Sequence, residues 1–372
     1  MKIDLFQLER NQSLYENQVE YNLTESGVHP CTLRELLDET AIDQLLNTTL
    51  DYGYTEGRPQ LRQAVSQWYP NASSENILIT HGASEANLIA VWSVLSPGDE
   101  LIFVIPNFMQ ICGLAHSIGV TVKTITLQEK NGWQLDLDEL RGLITPQTKM
   151  IAFSNPNNPT GTVFSQAVMQ ELVAIAQEVD LYLLSDEIYR GAELDCKETL
   201  TFYGSYEKVI IVSGVAKSLA HPGLRLGWLV ASEAVIQNAM QRQDYTTIGT
   251  GILNQIVAEV ILQPVMRHKL LNRSQQILSQ NLTLLDEWIS RHANLVSYHP
   301  PQAGGMAFVR YSFPMNSSAL SQQLREQQSV FVVAGDWFGL DHYIRIGIGS
   351  NSNFLAEALK RIDIYFEQTL KL

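Results

Sequence analysis

A lone lysine among small and apolar neighbours is the first sign of chemistry in this sequence. Lys217 lies in the stretch SGVAKSLAHPGLRLGW, and Arg225 follows eight positions later. The intervening histidine-proline-glycine cannot be regular helix throughout, so the chain turns between the two cations. One interpretation is a surface turn with two solvated side chains. The other is a covalent site, in which the lysine forms a Schiff base with an aldehyde while the arginine binds an anion.

Polar side chains that follow two other apolar runs offer further chemistry. Asp186 ends the run LYLLSD, where an unpaired carboxylate is costly to bury. It is either a helix N-cap or the partner of a protonated pyridine nitrogen, with Tyr189 three residues on to hydrogen-bond a phenolic oxygen. Asn158 lies in SNPNNPTG, which is either an ordinary tight turn or a rigid mount for a side-chain donor.

A candidate anion site lies in THGASEAN, residues 80–87. Gly82, Ala83 and Ser84 stand where a helix begins, and the free backbone N–H groups and dipole of a helix start attract anions. Many helices begin in this way, so the motif alone is weak evidence. Arg225 strengthens it, because a guanidinium can bind the same phosphate with two hydrogen bonds.

The elements that must position these residues alternate along the middle of the chain. Short apolar runs, such as NILIT, ELIFVIP and KMIAFSNP, precede longer amphipathic stretches. This alternation predicts βαβ units and a mostly parallel sheet flanked by helices, an α/β fold. Ligands bind such sheets at the carboxyl ends of the strands. The motifs THGAS, PNF, SNPNNPTG, SDEIY and SGVAK all follow strands, so we expect one shared crevice.

The last hundred residues predict a smaller α+β domain. A continuous helical stretch is expected over 237–263 and another over 273–292, followed by short strands and a final helix over 353–370. We predict three units: an N-terminal segment, 1–42, that packs on the small domain and covers the site; a large domain, 43–265; and the small domain, 266–372.

Composition excludes several classes of function. A net charge of −14 disfavours nucleic acid, because phosphate binding needs a basic footprint. The 372 residues contain no apolar run long enough to span a membrane, and the polar start lacks the core of a signal peptide. The three cysteines are far apart, so neither a disulfide framework nor a metal site is expected. These features predict a cytoplasmic enzyme acting on a small molecule.

Together, the motifs DYGYTEGRPQLR, THGASEA, PNF, SNPNNPTG, SDEIY, SGVAKSLAHPGLRLGW and YIRIG resemble the class I/II aminotransferases of fold type I, which use pyridoxal 5'-phosphate (PLP). The resemblance covers nearly the whole chain and implies a seven-stranded sheet and a homodimer with shared active sites. It implies that Lys217 binds the PLP aldehyde and Asp186 the ring nitrogen. It also implies contacts to the ring and its hydroxyl from Phe108, Asn158 and Tyr189, contacts to phosphate from Gly82, Ala83, Ser84, Arg225 and the neighbouring subunit's Tyr52, and a substrate-carboxylate contact from Arg345.

The sequence also departs from this family. Many members carry hydroxyl side chains three residues before the lysine and just before it, where this chain has Gly214 and Ala216. We expect Ser213 to replace one phosphate contact. The segment YNLTESGVHPCTLREL resembles the branch with capreomycidine synthases, enduracididine-forming enzymes and arginine oxidases. That branch implies a guanidino substrate, contacted by Thr24, Glu25, Ser26 and Glu9, and a second base, His29; each of these is otherwise a surface, capping or turn residue.

The specific hypothesis is a cyclodehydratase that eliminates water from 4-hydroxyarginine and closes a ring, as in enduracididine. An aminotransferase that uses a 2-oxo acid needs the same lysine, aspartate and arginine, and an arginine oxidase that consumes O₂ is a further enzyme alternative. A binding or regulatory protein with this fold is the non-enzyme alternative. The intact lysine and the complete set of cofactor motifs argue against it.

Overall fold

The computed structural model describes residues 3–370 and contains a mostly parallel sheet between two layers of helices, as predicted. Within those residues the main sheet has seven strands in the order β2-β8-β7-β6-β5-β3-β4. Only β8 runs antiparallel to its neighbours. The strands are β2 (Ile77–Thr80), β3 (Glu100–Ile105), β4 (Thr121–Thr126), β5 (Thr148–Ser154), β6 (Tyr182–Asp186), β7 (Val209–Gly214) and β8 (Gly227–Val230).

The inner strands are buried along most of their length, because helices cover both faces of the sheet. Each face has its own apolar core, one beneath the long helix after β2 and the other beneath the helix after β5. Burial on both faces explains why these strands read as continuous apolar runs. The covering helices are α4 (Pro59–Ser66), α5 (Ala83–Val94), α6 (Gln110–Ser117), α7 (Leu137–Leu143), α8 (Gln166–Glu178), α9 (Glu233–Gln243) and α10 (Ile252–Ile261).

The prediction of one continuous helix over 237–263 is wrong. The helix ends at Gln243, and the next begins at Ile252. Between them, Ile248 has a positive φ of 66°, and a Cβ on Gly249 would lie 3.0 Å from the Thr55 Cα, a tight contact. A β-branched run followed by two glycines favours such a break over helix.

The smaller unit packs a four-stranded sheet, in the order β12-β13-β10-β9, against helices and has its own apolar core. Its elements are α11 (Pro264–Arg291), β9 (Val296–Tyr298), β10 (Met306–Tyr311), α12 (Ser317–Gln328), β11 (Val330–Phe331), β12 (Val333–Ala334), β13 (Tyr343–Gly347) and α13 (Ser352–Leu370).

The N-terminal segment contacts this smaller unit. It comprises α1 (Gln7–Tyr15), β1 (Tyr21–Asn22), α2 (Leu33–Leu36) and α3 (Glu39–Leu46). Strand β1 pairs in parallel with β11, which sets Tyr21 opposite Val330. The domain boundaries at 42/43 and 265/266 stay predictions. Among the described residues, no helix is long and apolar enough to cross a membrane.

Candidate active site

A cavity of about 290 Å³ lies at the carboxyl ends of β5, β6 and β7, where parallel sheets of this kind bind ligands. The N-terminal segment closes it from the side of the smaller unit. Most of the predicted site residues line this cavity: Glu9, Glu25, Ser26, Ala83, Ser84, Phe108, Asn158, Asp186, Tyr189, Lys217, Arg225 and Arg345.

One end of the cavity is a cradle for an anion. Helix α5 begins directly after Gly82, and no described side chain caps its first turn. Arg225 has a left-handed backbone, with a φ of 46°, which turns its side chain towards that helix start. A Cβ atom placed on Gly82 would lie 2.9 Å from the Arg225 guanidinium. Free N–H groups, a helix dipole and a guanidinium therefore converge where a phosphate can bind.

Asp186 ends β6 at the floor of the cavity. Its Oδ1 accepts a hydrogen bond from the backbone N–H of Ile188, at 3.1 Å. Its Oδ2 accepts one from the side-chain amide of Asn87, at 3.3 Å. Burial raises the pKa of Asp186 to about 6, and the two donors and the charge of Lys217 only partly offset it. A cationic partner, such as a protonated ring nitrogen, would stabilise the ionised form of this buried carboxyl group.

Arg345 and Asn158 form a buried pair across the cavity. The guanidinium of Arg345 donates to the side-chain oxygen of Asn158, at 2.8 Å, and to the carbonyl oxygen of Thr24. Its Nε atom has no hydrogen-bond partner among the described residues. Burial lowers the pKa of Arg345, which still remains a fixed cation in a protein. Nearby, the hydroxyl groups of Tyr189 and Ser26 are 2.8 Å apart.

Lys217 and Glu25 form an ion pair at the centre of the cavity. The lysine Nζ donates to Glu25 Oε1 at 2.5 Å, and that oxygen also accepts the backbone N–H groups of Ser26 and Gly27, each at 2.9 Å. Although burial opposes ionisation, the lysine charge and these donors lower the pKa of Glu25 to about 2. Burial likewise lowers the pKa of Lys217, but Glu25 and Tyr189 more than offset it and raise the pKa overall.

One face of α1 forms an acidic wall of the cavity. Glu9, Gln12, Ser13 and Glu16 project from this face, which follows from their helical spacing. Gln12 anchors the wall, because its amide donates to the Thr24 hydroxyl at 2.8 Å. Desolvation in the cleft raises the pKa of Glu9, and Lys217 and Arg345 partly oppose that rise.

Five predicted site residues do not line the cavity. The Ser213 hydroxyl donates to the carbonyl oxygen of Glu187 at 3.2 Å, so it points away from the phosphate cradle. The exposed His29 is held by Arg273, which donates to its ring at 2.9 Å, so the geometry gives no support to a second base there. Thr24 contributes its carbonyl oxygen to Arg345 rather than its hydroxyl, and Tyr52 is 78% exposed. Gly82 itself lies behind the cradle, next to Arg225.

The sequence reasoning missed Asn87, Gln12 and Glu16. Asn87 is a polar residue within an otherwise apolar stretch of α5, and that contrast was a usable signal. Gln12 and Glu16 lie three and seven positions after Glu9, which places all three on one helical face. Helix α1 lacks a regular apolar stripe, however, so its presence was hard to predict. No group of three metal-ligating side chains was found in residues 3–370.

The sequence matches the family model for aminotransferase class I and II over residues 14–362. A PLP-dependent aminotransferase from Streptococcus suis has a similar structure, with a TM-score of 0.93, 34% identity and coverage of 99% of both chains. Capreomycidine synthase from Streptomyces vinaceus is 26% identical over 337 residues, 89% of this chain and 85% of the relative. Arginine–pyruvate transaminase from Pseudomonas aeruginosa is 26% identical over 335 residues, 87% and 84% of the two chains.

The chain belongs to the aminotransferase class I and II family and is a PLP-dependent enzyme. The residues of the cavity fit this cofactor. The cradle at α5 suits its phosphate, the buried carboxylate of Asp186 suits its ring nitrogen, and the amine of Lys217 suits its aldehyde.

Proposed function

We propose that this member of the aminotransferase class I and II family acts on the α-amino group of a guanidino amino acid. The observation that carries the proposal is the acidic lining of the cavity that holds the buried Arg345: Glu9 and Glu16 of the acidic wall, together with Glu25, line the same cavity as that cation. A substrate with a carboxylate at one end and a cationic side chain at the other matches both charges. The similarity to an arginine–pyruvate transaminase agrees with this pattern.

The residues around the cofactor have separate tasks. Ala83, Ser84 and Arg225 hold its phosphate, Phe108 covers its ring, and Asn158 and Tyr189 bind its phenolic oxygen. When bound, PLP supplies an aldehyde for the substrate amine and an electron-poor ring that accepts electrons from a bond broken at Cα. The β-strand ends and α1 line the cavity and so limit the access of water to the reacting atoms.

Lys217 moves the proton at Cα. Its amine is a general base once it is free and uncharged, and it then returns the proton as an acid. Glu25 raises the pKa of this lysine and so favours its charged form. A guanidinium that binds Glu25 competes for that carboxylate, which weakens the ion pair and favours the neutral amine. Binding of a cationic side chain thus favours the uncharged form of Lys217, which is the form that acts as a base.

For the reaction itself, we propose loss of water from 4-hydroxyarginine and ring closure. The bond from Cγ to the hydroxyl oxygen breaks, a bond from a guanidine nitrogen to Cγ forms, and the departing hydroxyl takes up the proton that this nitrogen loses. The balance is one amino acid converted to one cyclic amino acid and one water, so neither an oxidant nor a 2-oxo acid is consumed. The similarity to capreomycidine synthase and the TESGVH segment support this reaction.

Transamination is the second candidate. The similarity to an arginine–pyruvate transaminase favours it, since the same lysine, carboxylate and arginine serve both reactions. The two differ in their products. Transamination needs a 2-oxo acid and exchanges the amino group, whereas cyclodehydration needs only the one substrate and releases water.

We also propose a homodimer with shared sites. Tyr52, Tyr245 and Leu50 are more than 75% exposed, which is unusual for large apolar side chains. Gly53 lies against Ile252, so the segments that carry Tyr52 and Tyr245 approach each other on one surface. Burial of this surface by a second copy would bring Tyr52 to the phosphate of the partner's cofactor.

The reaction can be identified by mass spectrometry of the holoenzyme with arginine or 4-hydroxyarginine, with and without pyruvate and with and without O₂. We expect 4-hydroxyarginine to lose the mass of one water without either co-substrate. An amino group that is exchanged only when pyruvate is present would replace this reaction with transamination. O₂ consumption with arginine would identify an oxidase.

The substrate class can be tested in the same assay with the double variant Glu9→Gln/Glu16→Gln. We expect the KM for the guanidino substrate to rise about tenfold or more, because two charge contacts to the guanidinium are lost. The KM for a neutral amino acid should not change. Glu287→Gln is the matched control, since this carboxylate lies exposed on α11, outside the cavity. An equal effect on charged and neutral substrates would contradict a guanidinium site at α1.

A further inference from the structure

Asn87 occupies a position in the fold that the proposed chemistry does not yet explain. It lies on α5, one turn after the anion cradle, and its side chain is 1% exposed. Apolar residues surround it on this helix, including Ala86, Ile89 and Ala90. A buried amide in an apolar helix costs free energy unless its hydrogen bonds repay the loss of water. The hydrogen-bond partners of Asn87 therefore indicate why an amide is placed at this position.

The orientation of the Asn87 amide is fixed by two acceptors. Its Nδ2 lies 3.3 Å from Asp186 Oδ2 and 3.3 Å from the side-chain oxygen of Gln110. Gln110 is oriented in turn, because its own amide nitrogen donates to the carbonyl oxygen of Ser84 at 2.9 Å. A reversed amide would place the Asn87 oxygen against two acceptors. The donor face of Asn87 must therefore point at Asp186.

Asp186 is in this way held from two directions. A backbone N–H, that of Ile188, binds one oxygen, and Asn87 binds the other. The first donor is a backbone N–H, which every residue except proline supplies, whereas the second depends on the side chain at position 87. Both donors are neutral, and the charge of Lys217 also lowers the pKa of the carboxyl group. Each stabilises the ionised form of Asp186 against the cost of its burial.

We infer that Asn87 is a positioning residue for Asp186, which it orients and keeps ionised beneath the cofactor ring. The inference rests on the proposed role of Asp186 opposite the ring nitrogen. An ionised aspartate keeps that nitrogen protonated, and the protonated ring is the better acceptor of electrons from Cα. Asn87 thus acts on the reaction through the charge of Asp186 rather than through the substrate.

The test begins with the cofactor-free protein, where the Asp186 carboxyl carbon can be followed by ¹³C NMR as a function of pH. Asn87→Leu keeps the branching of the side chain at Cγ but removes the donor. We expect the Asp186 titration to move to higher pH by roughly one unit, the equivalent of one hydrogen bond to a charged group. Gln110→Leu, the matched control, leaves the contact of Asn87 with Asp186 in place and should move the titration much less.

Asn87→Asp is the second variant, because it is nearly isosteric and does not depend on tolerance of leucine at this site. Two carboxyl groups in contact share a proton, so the titration of Asp186 should again move to higher pH. An Asp186 titration that is unchanged in a folded Asn87→Leu or Asn87→Asp protein would overturn the inference.

The kinetics and the absorbance of the PLP-bound enzyme give an independent test. We expect kcat of Asn87→Leu to fall about tenfold with little change in KM, because the substrate contacts stay intact. The visible absorbance of bound PLP should show a changed pH dependence. A failure of the guanidino-substrate proposal appears as a lack of turnover in the wild type, whereas a failure of the Asn87 inference appears in the NMR titration, which needs no substrate.

Discussion

The pKa values of two carboxyl groups in this cavity are shifted in opposite directions, because the two groups have different partners. Glu25 contacts the ammonium group of Lys217 and two backbone N–H groups, which lower its pKa to about 2. Asp186 is buried with two neutral donors, and its pKa rises to about 6. Groups whose surroundings separate their pKa values in this way mark the places where protons and charges are handled. Glu25 therefore stays ionised well below neutral pH, whereas the ionised form of Asp186 is less favourable and is stabilised further by a cationic partner.

Replacement of Asp186 by asparagine should stabilise the cofactor-free protein. Because the folded state raises the pKa of Asp186 from its ordinary 3.8, folding favours the protonated form, and stability is lost as the pH rises from about 4 through about 6. Asp186→Asn removes that loss. We expect a gain of about 3 kcal/mol in the free energy of unfolding above pH 7 and almost none below pH 4. Urea unfolding across this range measures it.

The activity of the same variant should move the other way. Asparagine cannot carry the charge opposite the ring nitrogen, so we expect Asp186→Asn to bind PLP but to lose most of its turnover. Glu287→Gln, on the exposed side of α11, serves as the reference for both measurements. A variant that loses stability at neutral pH would show that burial does not dominate the energetics of Asp186.

Single residues were predictable where their chemistry conflicts with their surroundings. A lysine among small residues and an aspartate after an apolar strand pointed to Lys217 and Asp186, and both line the cavity. His29 was chosen for its acidity alone, and the partner that holds it, Arg273, is 244 positions away in the sequence. Such a contact is set by tertiary packing, which local sequence patterns do not report.

At the scale of elements, the junction of β2 and α5 explains one departure from the family pattern. Gly214 on β7 pairs with Gly227 on β8, and a Cβ on Gly214 would lie 2.9 Å from the Gly227 Cα. Gly227 in turn lies against the first N–H of α5, 2.5 Å from where its Cβ would be. The strands approach the helix start so closely that neither position can hold a serine without a shift. The missing hydroxyl thus follows from packing around the anion cradle.

The helix start itself can be tested with Gly82→Ala. The φ of 80° at Gly82 is unfavourable for alanine, and the new Cβ would displace the Arg225 guanidinium. We expect the PLP dissociation constant, measured by absorbance titration, to rise about tenfold or more, because one charge-assisted contact to phosphate is lost. The matched control is Gly98→Ala, which has a φ of 94° but open space around its Cβ.

Both alanine variants should lose about 1 kcal/mol of stability through backbone strain. Only Gly82→Ala should lose cofactor affinity. Equal PLP affinities in the two variants would show that Arg225 does not depend on the close approach of Gly82.

Elements were predictable in proportion to their periodicity. The strands of the main sheet have long apolar runs and were placed within one or two residues, for example β3 and β6. Helix α1 is polar on most sides, and it contacts the smaller unit through Tyr15, whose ring centre lies 3.4 Å from the Arg325 guanidinium carbon. Its acidic face towards the cavity depends on that docking. A pattern of hydrophobicity could therefore not reveal it.

At the scale of the whole molecule, α1 and the smaller unit complete a site whose general base, Lys217, follows a strand of the main sheet. Arg345 on β13 and Glu25 after β1 reach the same cavity as Lys217 after β7. The site is thus assembled from distant parts of one chain. Tyr52 lies on the exposed surface that carries Tyr245, and the proposed dimer would add this residue from a second chain.

Shared sites can be tested by subunit complementation. Lys217→Ala removes the base from its own site, and Tyr52→Ala removes a phosphate contact from the partner's site. Each homodimer should have little activity. In a mixed dimer, one site combines an intact Lys217 with an intact Tyr52, while the other site lacks both. Random reassortment of equal amounts makes half of the dimers mixed, so about a quarter of the wild-type activity should return.

The measurement is turnover after the two variants are unfolded together and refolded, compared with the sum of each variant refolded alone. Light scattering on the wild type should give the mass of two chains. A mixture in which Lys217→Ala is paired with wild-type-like Glu287→Gln is the control, and its activity should only reflect dilution. Activity that stays at the sum of the separate variants would place Tyr52 outside the partner's site, because no exchange of subunits could then rebuild it.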